Sequence, residues 1–98
     1  MNVTFSKAFI KASLKLTGKH KVSLKIKIGE VKAASSLKEL TECKKLVGFF
    51  NVYRIRIGDY RAFFVFTLEN ETAHFEYLVN RGEAYRKEYL NYLRNKGK

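Results

Sequence analysis

The chain has a single cysteine, two histidines and only nine acidic residues, and no apolar run approaches the length of a membrane span. A spanning helix needs roughly 18 or more consecutive apolar residues, so membrane insertion is the first function class to fall. Cys43 has no partner in the chain and cannot form an internal disulfide, which fits a reducing compartment. Cys43, His20 and His74 are too scattered for metal-ligand spacing, so neither a metal nor another cofactor is expected. Low-complexity runs, linkers and repeats are missing. The opening residues Met1-Asn2-Val3-Thr4-Phe5 lack the basic-then-apolar order of a signal peptide. The expectation is a cytoplasmic, metal-free single domain over residues 1–98.

What is present is positive charge on a foldable chain. A hydrophobic fraction of 46% in 98 residues supports one packed core. Twenty Lys and Arg against nine Asp and Glu give a formal net charge of +11. Such an excess opposes compactness and favours nucleic acid or an acidic protein as partner.

The pattern along the chain is α+β. A short strand at residues 2–5 leads to Ser6, a good N-cap, and then to Phe5, Ala8, Phe9, Ala12 and Leu16 at helical spacing. Gly18 is read as the end of that helix. Residues 21–34 carry two signals at once. Val22, Leu24, Ile26 and Ile28 alternate like a strand, while Leu24, Ile28 and Val31 form a helical stripe. Residues 35–50 read as a connector with a helical turn around Leu37 to Leu40. Strands are expected at 52–57, 61–68 and 73–79, with a closing helix at 82–95 that carries Tyr85, Tyr89 and Tyr92 along one flank.

The hairpin Tyr53-Arg54-Ile55-Arg56-Ile57-Gly58-Asp59-Tyr60-Arg61 is the most informative stretch. Period-two alternation sends Tyr53, Ile55 and Ile57 to a core and leaves Arg54 and Arg56 on the other face. Gly58-Asp59-Tyr60 then forms a short turn, and Arg61 opens the next strand. Three guanidiniums at one end of a hairpin suit a polyanion, because each grips phosphate through two parallel hydrogen bonds. Lys44 and Lys45, just upstream, add to that charge. Each residue also has a plainer reading. Arg54 and Arg56 fit a solvated strand face, Arg61 a turn cap, and Tyr85 core packing. Arg81 precedes a helix, where a cation opposes the dipole. His20 and His74 fit surface positions, and Cys43 a small buried or half-buried side chain.

With Asn80-Arg81 and Tyr85-Arg86, the hairpin resembles the RelE/ParE superfamily of bacterial type II toxins. The Arg81-to-Tyr85 spacing matches that superfamily's Arg-x-x-x-Tyr ending. The resemblance covers nearly the whole chain. It implies a RelE-like fold, with a short N-terminal strand and two helices followed by a small antiparallel sheet and a C-terminal helix, and it tips residues 21–34 towards helix. It also implies a cognate antitoxin as partner.

For the RelE branch, the resemblance implies metal-independent cleavage of messenger RNA on the ribosome, by attack of a 2′-hydroxyl on the adjacent phosphate. Carried over by position, Arg56, Arg61, Arg81 and Tyr85 are the catalytic group, with Arg61 and Arg81 holding the transition-state phosphate. Arg54, Lys44, Lys45 and Arg86 are the RNA-binding group. Some RelE-branch members carry lysine at the two strand positions, one of them assigned as general base. Here both are arginine, which does not deprotonate at working pH, so the general base is unassigned. Two alternatives stand beside this reading: a ParE-like inhibitor of DNA gyrase with no nuclease activity, and a silent member that only binds RNA or antitoxin.

Overall fold

The computed structural model describes residues 1–83 and 87–96. In chain order they form β1 (Asn2–Phe5), α1 (Lys7–Ser13), α2 (Gly18–Ala33), a 3-10 turn (Leu37–Glu39), β2 (Cys43–Lys45), β3 (Val52–Ile57), β4 (Tyr60–Thr67), β5 (Thr72–Asn80), a second 3-10 turn (Arg81–Glu83) and α3 (Lys87–Lys96).

Ser6 starts α1 as its composition suggests. Its hydroxyl accepts from the Phe9 amide at 3.0 Å and donates to the Glu76 carbonyl at 2.7 Å, so one side chain caps the helix and fastens it to β5. The helix is shorter than its periodicity suggests. It stops at Ser13, and Gly18 opens α2 instead of closing α1. The chain must leave the helix to bury Leu16, and it then re-enters one through Gly18 at φ +56°, a conformation that glycine adopts without penalty.

Residues 21–34 resolve as helix for a packing reason. Leu24 and Val31 are buried and Ile28 packs beside them, whereas Val22 and Ile26 stand 56% and 60% exposed. The apparent alternation is a helical stripe with two apolar residues left over on its solvent side.

Five strands form one sheet in the order β1-β5-β4-β3-β2. The expected antiparallel strands are there, and two edge strands complete them. β1 joins parallel to β5. β2 falls in the segment read as a connector, since its three residues are too few to show alternation; pairing with β3 is what makes it a strand. The β3–β4 turn is only Gly58-Asp59, and Tyr60 already belongs to β4. Gly58 has φ +60°, as the first central residue of a type II′ hairpin turn requires. The closing helix is described over Lys87–Lys96, and Arg81 lies in the 3-10 turn Arg81–Glu83.

The two faces of the sheet are covered unequally. α1 and α2 pack Phe9, Leu24 and Val31 against Ile55, Ile57, Phe64 and Phe75. Phe5, Phe9, Phe75 and Phe64 form a continuous ring contact with centroids 5.3, 5.3 and 5.0 Å apart in that order. Each such pair adds about 0.5–1.5 kcal/mol beyond area burial. On the other face, Leu93 of α3 is buried against Val52, Phe63 and Val79. Tyr77 meets Tyr89 and Tyr92 at 4.7 and 5.3 Å. Both α3 tyrosines thus serve packing. A β-bulge opposite Phe63 and Phe64 leaves Glu76 as the extra residue of β5, buried to 3% exposure.

Candidate nucleic-acid interface

Strand register builds the basic site on the α3 side of the sheet, towards the Gly58 turn. Arg56 is the direct partner of Arg61, Arg54 is the partner of Phe63, and Lys44 is the partner of Arg54. All four basic residues therefore point to the same face. The pair Ile57–Tyr60 closes the turn, so Arg56 and Arg61 form the next, non-hydrogen-bonded pair. Their Cα atoms are then about 4.5 Å apart, and their side chains lie closer than in the alternate type of pair. Consistently, the Arg56 amide points away from β4 and donates to the Glu42 carbonyl at 3.1 Å. Lys44, Arg54, Arg56 and Arg61 line a recess of about 180 Å³, together with Glu42.

The turn's backbone holds this cluster from one side. Arg56 Nε donates to the Gly58 carbonyl at 3.3 Å. The Arg81 amide donates to the Asp59 carbonyl at 2.9 Å. Arg61 Nη1 donates to the Tyr60 carbonyl at 3.4 Å. Three successive carbonyls thus contact three arginines, and the 3-10 turn carrying Arg81 is tied to the hairpin tip. Four cations around one small recess repel one another, and an exposed phosphate removes that repulsion.

The other expected site residues are placed as follows. Lys45 pairs with Tyr53, whose ring stacks on Phe64 in the helix-side core, so register sends Lys45 to the opposite face from Lys44. Arg81 is exposed beside the turn. Tyr85 and Arg86 lie outside the described residues. His74 does not join the arginines. It pairs with Val65, four residues along β4 from Arg61, or roughly 13 Å at strand rise. There its Nδ1 lies 2.6 Å from Thr4 Oγ1, and its Nε2 lies 3.7 Å from the buried Glu76 carboxylate. Cys43 faces the helices, and burial pushes its thiol up to about 11 against the opposing pull of Lys27 and Arg54. A thiol so held is no nucleophile at neutral pH.

Two neighbours of the site carry no signal in the sequence. His20, in α2, packs its ring edge-on to Tyr60 at 5.2 Å. Its Nδ1 stands 3.9 Å from where a Cβ on Gly58 would be. Glu42 reaches the recess only because β2 exists and pairs with β3. Neither contact can be read from spacing along the chain.

A search against protein-family models returned no match. Toxin RelE3 of Methanocaldococcus jannaschii is 39% identical over 62 residues, covering 62% of this chain and 70% of that protein. The chain belongs to the RelE family of toxins. Solved structures of the family agree with the fold. The toxin in the RelB–RelE antitoxin–toxin complex from Methanococcus jannaschii matches with a TM-score of 0.72 at 29% identity, over 88% of this chain and 96% of that one. The archaeal RelE–RelB complex from Pyrococcus horikoshii matches at 0.70 and 25% identity, over 85% and 97%. The α+β architecture is thus the RelE fold. No helix among the described residues is long and apolar enough to cross a membrane.

Proposed function

We propose that this RelE-family chain is the toxin of a toxin–antitoxin pair and acts as a metal-independent, ribosome-dependent endoribonuclease on messenger RNA. The observation that carries the reading is the direct opposition of Arg56 and Arg61 next to Arg54 and Lys44. Cleavage by a neighbouring 2′-hydroxyl passes through a crowded phosphorane with an added negative charge. Positioned cations that meet this charge act selectively on the transition state. Arg56 and Arg61 take that role, with Arg81, on the 3-10 turn whose backbone is tied to Asp59, as a further cation. Arg54 holds a flanking phosphate, with Lys44 beside it across the β2–β3 ladder. Tyr85 and Arg86 complete the set, as a base-stacking group and a further phosphate contact.

The partner that silences such a toxin must cover or neutralise this surface. A chain with a net charge of +11 suits an acidic antitoxin segment that folds as it binds. Two of the similar structures are toxins bound to RelB antitoxins, which supports a cognate partner of that kind.

Purified protein added to translating ribosomes tests the reading. It should produce messenger fragments with 5′-hydroxyl and 2′,3′-cyclic phosphate ends, in chelator as well as in buffer. Arg61→Ala should reduce the rate by about 10²–10³, the usual cost of losing one transition-state donor. Equal rates for the two proteins would refute the assignment.

A further inference from the structure

We propose that Glu42 is the general base of this site, and that Lys44 is its acid. The inference rests on the endoribonuclease reading above and names the groups that move protons in it.

The recess is lined by Glu42, Lys44, Arg54, Arg56 and Arg61. Three of these are arginines, which neither accept nor release a proton at working pH. An ammonium is a proton donor and a carboxylate a proton acceptor. Within this lining only Glu42 can take a proton, and only Lys44 can give one.

Position supports chemistry. The Glu42 carbonyl accepts the Arg56 amide at 3.1 Å, which fixes Glu42 beside the Arg56–Arg61 pair. Its backbone is left-handed at φ +55°, a conformation uncommon for glutamate. That twist sits immediately before β2, where the chain enters the recess. Among the described residues its carboxylate makes no ion pair, although four cations share its recess. It also borders a second recess on the α2 side, with Lys27 and Glu30 in its lining. The charged groups facing it are therefore Lys44, Arg54, Arg56 and Arg61 on one side and Lys27 and Glu30 on the other. The Lys27–Glu30 pair, at 3.3 Å, partly satisfies itself.

The step balances within these residues and the RNA. The 2′ O–H bond breaks and its proton passes to the Glu42 carboxylate. The freed electron pair on the 2′ oxygen forms the new bond to phosphorus. The bond from phosphorus to the 5′ oxygen breaks, its electrons stay on that oxygen, and the Lys44 ammonium protonates it. A cyclic phosphate and a 5′-hydroxyl result, and solvent returns the proton from Glu42 to Lys44.

Single-turnover cleavage on programmed ribosomes is measured for wild type, Glu42→Gln and Glu42→Asn, with ribosome binding and thermal unfolding measured alongside. Asparagine tolerates the left-handed backbone, so a folding defect in the glutamine variant would not repeat in it. Both variants should lose at least about a hundredfold in rate, as for loss of a general base, with binding within about threefold of wild type. Cleavage within about threefold of wild type in either folded variant, with Arg61→Ala inactive, would overturn the assignment of Glu42 alone. Loss of binding in step with rate would also overturn it. A wild-type protein that cuts nothing would overturn the endoribonuclease reading and this inference together.

Discussion

Arg56 and Arg61 face each other across the β3–β4 ladder, as the first pair beyond the residues that close the Gly58-Asp59 turn. Folding places two permanent like charges side by side on an otherwise regular hairpin. Like charges directly opposite one another in a sheet destabilise it, by roughly 0.2–1 kcal/mol. A phosphate bound at this pair would offset that repulsion.

Neutralising one member of the pair should therefore stabilise the fold while harming function. Arg56→Gln is expected to raise unfolding stability by up to about 1 kcal/mol at low ionic strength. The gain should shrink in high salt, because screening already weakens the repulsion in wild type. Denaturant melts of both proteins at two salt concentrations measure it.

His20 buttresses the same turn from the helix side through its edge contact with Tyr60. His20→Ala should cost about 1 kcal/mol of stability, the scale of one aromatic pair, and should reduce cleavage several-fold by loosening the turn. His20→Phe keeps a ring edge on Tyr60 and should recover most of both. Melting curves and cleavage rates for the two variants test this.

Phe75 joins Phe5, Phe9 and Phe64 in the helix-side core and is fully buried. Phe75→Ala should cost about 3–5 kcal/mol. That is a large share of the 5–15 kcal/mol available to a typical domain. Equilibrium urea unfolding would show a midpoint shift of that size.

Cys43 should be slow towards thiol reagents. Burial raises its pKa to about 11, so below that pH only a small fraction is thiolate, the reactive form. Its alkylation rate at neutral pH should fall about a hundredfold below that of a free cysteine, in line with a shift of two pH units, and should rise steeply in denaturant. Mass spectrometry of timed alkylation reads both.

Much of this architecture was legible in the residues. The alternation of Tyr53 to Ile57 and the turn signal at Gly58-Asp59-Tyr60 predict the hairpin and the face that its arginines share; the register bears out the hairpin and the face, with the turn one residue shorter. Ser6 marks the start of α1. The ambiguous stretch around Val22 to Ile28 could not be settled locally, because strand and helix patterns coincide there, and only packing against β3 and β1 decides between them. β2 carries no sequence signal, because three residues with two adjacent lysines show no period. This bears on the site, since Glu42 and Lys44 enter the recess only through β2. The separation of Lys44 from Lys45 depends on the same unseen register. By sequence His20 fits an idle surface position, since nothing along the chain ties it to Tyr60.

The central claim is that the arginine face of this RelE-family chain cuts translated messenger RNA. Sequencing messenger 5′ ends within minutes of induced expression, for wild type and Arg61→Ala, tests it most directly. New codon-phased 5′-hydroxyl ends should accumulate with wild type and vanish with the variant. Growth arrest by wild type without any such ends would contradict it.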